Sequence, residues 1–238
     1  MPVDEEYLQA VLRVFSHDAG SALRAASGFS RLLVEKYGDD LDEKALHWLS
    51  LIRTESEKSN KQLKSLSQYA RLYNIEEASL SCDLTKLCDE ARQEVAVQQA
   101  LEQFPLITFD VRVLPTMAGS PKLWQQYFAE IFVNCIRYAS PNNTESVLCR
   151  VFTEKSDKGL LLVVEDDGVG LIERDIAKAV SPYRSLVANG EPDEYILSRQ
   201  GMGLSIAKRI VEVHGGLFRV SARTDGISGL RVEASLSA

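Results

Sequence analysis

Two long stretches of this chain share one constraint: apolar residues return in alternating steps of four and three. In the first, residues 4–37, they are Leu8, Leu12, Phe15, Ala19, Ala22, Ala26, Phe29 and Leu33. In the second, residues 43–73, the same rhythm runs through Ala45, Leu49, Ile52, Ser56, Ser59, Leu63, Leu66 and Ala70. A strand repeats every two residues, so this period admits only helices with one buried seam. Between them Gly38-Asp39-Asp40-Leu41-Asp42 forms a turn, with Asp42 placed to cap the second helix. The two helices therefore make an antiparallel hairpin. A single hairpin of this kind leaves apolar surface over, and pairing with a second copy into a dimeric four-helix bundle is the expected remedy. Ser56 and Ser59 weaken the middle of the second seam, for no reason visible in the sequence.

His17 lies in the first helix but off its seam. At about 100° per residue it points about 200° from Phe15 and about 160° from Ala19. Helix packing thus leaves the imidazole to solvent or to another domain. Asp18 follows it directly. A carboxylate there can hold one ring nitrogen as N–H and leave the other free as a nucleophile. Taken alone the pair reads as an ordinary surface histidine beside an acid. The second half of the chain changes that.

After a linker at 74–81 the pattern turns to mixed helix and strand. A short strand at 80–83 precedes a helix expected over 84–101, then a strand over 107–113. An amphipathic helix occupies 121–139, with Pro121 in its first turn. Strands at 147–153 and 160–165 form a hairpin across 155–159. A helix over 204–214 ends at Gly215-Gly216, and strands at 217–222 and 230–236 pair around Asp225-Gly226. The second half is an α/β layered domain, so the division expected is 1–74 and 75–238. Residues 171–202 stand apart, mostly polar, with one short helix at 173–180. A loop this long between two glycine motifs reads as a lid.

At 238 residues with 45% apolar content, the chain can build two modest cores. Its net charge of −7 argues against nucleic acid as partner. No apolar run approaches about 20 residues, so no membrane-crossing helix is expected, and Met1 to Glu6 carry no signal-peptide pattern. Cys82, Cys88, Cys135 and Cys149 form no C-x-x-C pair and read as reduced thiols of a cytoplasmic protein. His17, His47 and His214 are scattered, which gives a zinc site little support.

Three signals in order describe a nucleotide pocket. Glu165-Asp166-Asp167-Gly168-Val169-Gly170 closes a buried strand; an Asp there can accept a hydrogen bond from a base amine, and the glycines permit close approach to a flat ligand. Gly201-Met202-Gly203-Leu204 opens a helix whose N–H groups suit an anion. Each alone is weak, a tight turn being as good an account. A P-loop and a Rossmann fingerprint are both missing. On the preceding helix Gln126, Glu130 and Asn134 share one face at i, i+4, i+8. Glu130 and Asn134 offer oxygen ligands to Mg²⁺, Arg137 can reach a phosphate, and Tyr138 offers a ring near the base.

These residues resemble, over nearly the whole chain, the catalytic core of bacterial sensor histidine kinases. Phe15-Ser16-His17-Asp18 is similar to the phosphoacceptor box, and Gln126 to Tyr138 to the N box. Glu165–Gly170 and Gly201–Gly216 are similar to the two glycine boxes, and Val180-Ser181-Pro182-Tyr183 stands where the lid's phenylalanine motif falls. The resemblance implies a homodimeric hairpin followed by an α/β sandwich ATP-binding domain of the Bergerat type. It implies transfer of the γ-phosphoryl group of ATP to His17, with Asp18 as general base, then onward to an aspartate of a response regulator receiver domain. By position Asn134, with Glu130, would hold Mg²⁺. Asp166 would read the adenine amine, and Gly168, Gly170, Gly201, Gly203 and Leu204 would shape the pocket, with Arg137 and Tyr138 at its edge. Little sequence precedes the first helix, so an input domain is expected either in a longer chain or in a separate sensor protein.

The chain departs from the family pattern in four places. Ala19-Gly20-Ser21-Ala22-Leu23 follows the acceptor without the usual proline, and Ser21 replaces the Thr or Asn associated with phosphatase activity. Glu130 replaces the first asparagine of the N box, and Arg199 stands where a glycine often opens the second glycine box. The Glu130-x-x-x-Asn134 pair is similar to that of the hydrolysing relatives gyrase, Hsp90 and MutL, in which the Glu activates water. Two alternatives therefore stand beside the kinase: a phosphorelay or scaffold protein with a degenerate ATP site, and an ATPase using Glu130.

Overall fold

The structure is a computed structural model and describes residues 5–72, 80–94, 97–98, 100, 107–139, 147–157, 159–181 and 201–236. It divides into two compact units, residues 1–73 and 74–238.

The first unit is a helical hairpin. Helix α1 (Glu5–Tyr37) and helix α2 (Glu43–Arg71) are joined by a 3₁₀ turn at Gly38–Asp40. The Asp42 carboxylate accepts the Ala45 N–H at 2.7 Å and so caps α2. The two helices meet along a row one position over from the α1 seam. Gly20 and Ser30 are buried on α1, and Ser56 and Ser65 on α2. A Cβ on Gly20 would sit 3.2 Å from the Asn60 side-chain oxygen, and the Ser27 hydroxyl donates to Glu57 at 3.1 Å. Small residues let the two backbones approach, which accounts for Ser56: it lies in the contact with α1. The seam of α1 stays outside, with Phe15 58%, Phe29 67% and Leu33 44% exposed. Heptad spacing identifies a stripe, and a neighbouring stripe of small residues has taken the intrachain contact.

The second unit packs helices on a sheet. Strands β2 (Ile107–Val111), β4 (Val147–Ser156), β5 (Gly159–Asp166), β6 (Phe218–Ala222) and β7 (Leu230–Leu236) form a sheet in the order β2-β4-β5-β7-β6. β2 runs parallel to β4, and the other pairs are antiparallel. The register lines up Val111, Val151, Val164, Val232 and Val220 across one face. That face meets the helices: α4 (Pro121–Arg137) packs against both α3 (Leu84–Arg92) and α6 (Gly203–Val213). Trp124, Tyr127, Phe128, Ile131 and Phe132 of α4 are at most 1% exposed, and Phe132 meets Phe109 of β2 edge-on at 4.8 Å between centroids. The opposite face carries an ion network in which Arg231 reaches Glu154, Glu165 and Glu233. The short helix α5 (Glu173–Ala179) follows β5.

Three details differ from the sequence expectation. The helix from Leu84 stops at Arg92, and described helical residues resume at 97; Arg92 and the following Gln93-Glu94 carry no apolar residue to keep the buried stripe going. Strand β3 (Thr116–Gly119) has no counterpart in the sequence pattern, because four residues pairing with β1 (Leu80–Asp83) leave too little alternation to detect. The β4–β5 hairpin turns more tightly, between Ser156 and Gly159. Of the expected lid, the short helix is α5, and residues 182–200, with Pro182, Tyr183 and Arg199, fall outside the described residues.

Candidate nucleotide site and phosphoacceptor histidine

Asp166 ends β5 on the helix-facing side of the sheet. Its Oδ1 accepts the Gly168 N–H at 2.9 Å and the Leu230 N–H at 3.3 Å. The side chain is buried, and burial above all pushes its carboxyl from the ordinary 3.8 up to about 6, against the pull of those two N–H groups. At neutral pH it is therefore an ionised acceptor in a desolvated place. The backbone around it is anchored twice: Val169 N–H donates to the Tyr138 carbonyl at 2.9 Å, and the nearly enclosed Arg223 donates to the Asp166 carbonyl at 3.2 Å. A Cβ on Gly168 would stand 2.4 Å from the Tyr138 oxygen, so no larger residue fits. The N box and first glycine box thus meet through backbone.

The N box and second glycine box meet through Asn134. A Cβ on Gly203 would lie 2.8 Å from the Asn134 amide nitrogen, so the first residue of α6 rests directly on that side chain. Met202 before it is buried, and the Ser205 hydroxyl donates to the Met202 carbonyl at 2.8 Å, which ties down the helix start. Gly201 turns the chain into the helix at φ +59, Gly170 leaves the first box at φ +68, and Leu204 is half-buried.

Glu130 lies one turn before Asn134 on α4 and is half-buried. Desolvation dominates its carboxyl and lifts it from 4.5 to about 7, opposed by the Arg137 charge and a hydrogen bond from Gln126. Glu130 and Asn134 are oxygen donors of the kind Mg²⁺ takes, and a divalent charge would offset the cost of ionising this desolvated acid. The donor set thus fits the ion.

His17 and Asp18 belong to the hairpin. Both side chains are open to solvent, 80% and 73% exposed, and Nδ1 of His17 lies 3.0 Å from Asp18 Oδ1. With Nδ1 so engaged, Nε2 is the ring nitrogen turned to solvent.

Three residues that frame Asp166 and the junction of α4 with α6 are not singled out by any sequence motif. Arg223 and the Leu230 N–H reach Asp166 from the final hairpin, more than fifty residues away along the chain. His214 locks α6 to the start of α4, its Nε2 accepting the Ser120 N–H at 3.0 Å and its Nδ1 donating to the Ile210 carbonyl at 2.7 Å. Only the Gly215-Gly216 pair beside it marks that corner in the sequence.

The match to known proteins agrees with this geometry. Residues 119–237, half of the chain, match the family described as histidine kinase-, DNA gyrase B-, and HSP90-like ATPase. The chain belongs to that family. Among curated proteins it is 25% identical over 215 residues to the sensor histidine kinase YvrG of Bacillus subtilis, covering 88% of this chain and 35% of that protein. Among solved structures it is similar to full-length ShkA in complex with AMPPNP (TM-score 0.65, 18% identity, 96% of this chain and 46% of that one). It is likewise similar to the Acinetobacter baumannii histidine kinase AdeS (TM-score 0.54, 17% identity, 91% and 98%). The chain spans 35% and 26% of the length of the first two curated relatives it matches. The histidine-kinase core expected from the motifs is the core found, a helical unit followed by the α/β unit of this ATPase family. Among the described residues no helix is long and apolar enough to cross a membrane.

Proposed function

We propose that this chain is the catalytic core of a protein-histidine kinase that phosphorylates His17 from ATP and passes the group to an aspartate of a response regulator. The observation that carries the proposal is the solvent-exposed His17, its Nδ1 held by Asp18 at 3.0 Å, in a chain whose other unit belongs to an ATPase family. In this reading Asp166 accepts the exocyclic amine of adenine, and the backbone at Gly168 and Gly170 borders the base with Tyr138. The α6 N-terminus at Gly201, Gly203 and Leu204 takes the phosphates, with Arg137 beside them. Asn134 and Glu130 would hold Mg²⁺, which when bound supplies positive charge against the triphosphate. The lone pair on His17 Nε2 attacks the γ-phosphorus and the bond to the β–γ bridging oxygen breaks, releasing ADP. Asp18 accepts a hydrogen bond from the Nδ1–H, which leaves the Nε2 lone pair free to attack, and takes that proton as positive charge develops on the ring. Positioning and charge carry most of the rate. The exposed α1 seam supports a homodimer as the working form.

The test is incubation with γ-labelled ATP and Mg²⁺, wild type beside His17→Ala, scored for acid-labile, base-stable label. Label on wild type alone is the expected result; equal label on both removes His17 from the role. A second, hydrolytic reading is favoured by the placement of Glu130 one turn before Asn134 on α4, where desolvation lifts its carboxyl to about 7, a range that suits a general base for water. That reading expects phosphate release that survives His17→Ala and is lost in Glu130→Gln.

A further inference from the structure

A line of buried thiols runs up to the carboxylate that reads the base. In the sheet register Cys149 of β4 stands opposite Asp166 of β5, both on the helix-facing side. Above them Cys135 projects from α4, the residue directly after Asn134, and is 3% exposed. The Cys149 thiol donates to Cys135 Sγ at 3.6 Å, which sets the Cys135 thiol in the same layer as the Asp166 carboxyl, where it acts as a donor that favours the charged form. The other contacts to that carboxyl are the Gly168 and Leu230 N–H groups, both on Oδ1. Two N–H groups on one oxygen hold the carboxylate at a point; they do not by themselves set the rotation of its plane. A donor from α4 does, because it approaches from the helix layer while the N–H groups come from the strand ends. An S–H group suits this place: it is a weak donor that fits an apolar interior without the desolvation cost of a hydroxyl or amide.

We propose that Cys135 is a positioning residue for purine recognition: its thiol, backed by Cys149, orients the Asp166 carboxylate toward the exocyclic amine of the base. The inference rests on the reading of Asp166 as the base acceptor. A 6-amino purine gains from a well-oriented acceptor, and a 6-oxo purine does not, so the signature is discrimination between bases rather than overall affinity.

The experiment measures ATP and GTP affinity by equilibrium titration of the whole chain, with a melting curve for each variant. Cys135→Ala is expected to lower the ATP-over-GTP ratio about three- to tenfold, the scale of one net hydrogen bond, and Cys135→Ser to restore most of it. Cys149→Ala removes the same volume from the same layer without taking a donor from Asp166, and is expected to keep the ratio within about twofold. A ratio unchanged in Cys135→Ala, or lowered equally in Cys149→Ala, overturns the proposal in favour of simple packing. If Cys135→Ala melts below the assay temperature, Cys135→Val fills the site without a donor and takes its place. Asp166→Asn separates the two levels. If it leaves the ratio intact, the base-reading role falls and this inference with it. If it erases the ratio while Cys135→Ala does not, only the inference falls.

Discussion

The two units solve the burial of apolar surface in opposite ways. The α/β unit encloses its own: the α4 aromatics are sealed between the sheet and the flanking helices α3 and α6. The hairpin encloses small and polar residues, Gly20, Ser30, Ser56 and Ser65, and leaves Phe15, Phe29, Leu33, Trp48 and Ile52 outside. A unit of the first kind is stable because of what it has inside. A unit of the second kind is built for something it lacks when alone. The contrast teaches that amphipathic pattern reports how much surface a helix must hide and is silent on which neighbour hides it.

The sharpest way to break the contrast is to remove one large side chain from each unit. Phe128 is fully buried, with Tyr127 5.4 Å and Phe132 6.1 Å away between ring centroids. Phe128→Ala is expected to cost about 3–5 kcal/mol of unfolding free energy. Trp48 and Trp124 are the chain's two tryptophans, one in each unit. In a Trp48→Phe background, denaturant unfolding followed by Trp124 fluorescence measures the α/β unit alone. A loss under about 1 kcal/mol would mean that the aromatic layer is not what holds this unit.

The same deletion in the hairpin should act on association. Phe29→Asp is expected to weaken self-association by on the order of 2 kcal/mol per protomer, seen in sedimentation equilibrium as conversion of dimer to monomer. Helical content at high protein concentration should stay nearly unchanged. A dimer that survives both Phe29→Asp and Leu33→Asp would show that the exposed seam serves another partner.

Much of this was open to sequence reading, and the reasons for what was not are physical. Glu130, Asn134, Asp166, Gly168 and Gly203 stand out because polar or minimal residues interrupt otherwise apolar elements. Both hairpin helices were legible from period alone, and Asp42 was found as a cap because its side chain acts within three residues. What escaped depends on contacts distant in sequence. The parallel pairing of β2 with β4 needs a crossover that no local pattern announces. Strand β3 is too short to alternate. Cys135 looks like a core residue until the fold sets it against Asp166, and the side-by-side stripes of α1 cannot be ranked without α2 in place.

Within the α/β unit one residue runs against the rule of self-sufficiency. Asp166 titrates at about 6 when folded and at its ordinary 3.8 when unfolded. Between those values the folded state binds the proton more tightly, so this group favours folding most below pH 4, and that advantage is lost as pH rises through 6. Above that the charged buried carboxylate costs on the order of 2–3 kcal/mol. Asp167, Cys135 and the Gly168 and Leu230 N–H groups are the neighbours that set the balance. Asp166→Asn is expected to raise the stability of the nucleotide-free protein by about 1–2 kcal/mol at pH 7.5, with the gain shrinking as pH falls toward 4, while the preference for ATP over GTP is lost. Melting curves across that range check it. A gain independent of pH, or a loss at pH 7.5, would show that the carboxylate is better solvated than its burial implies.

The smallest effect tests the other half of the comparison. If the hairpin has little core of its own, its stability must lean on helix propensity, and a change that touches no neighbour should register there. Gly28 lies in the middle of α1, and a Cβ added to it would meet nothing within 4 Å. Gly28→Ala therefore changes only the backbone freedom lost on folding, which favours the helix by about 0.5–1 kcal/mol. Gly20→Ala, also in α1, carries the same propensity gain but brings a Cβ to 3.1 Å from the Arg24 guanidinium and 3.2 Å from Asn60, so part of the gain goes into moving those side chains. Thermal unfolding of the hairpin should thus rise more for Gly28→Ala than for Gly20→Ala, with the Trp124 transition unmoved by either. The reverse order would mean that the contact between α1 and α2 is looser at Gly20 than at Gly28, and that the small-residue row is not where the two helices are held.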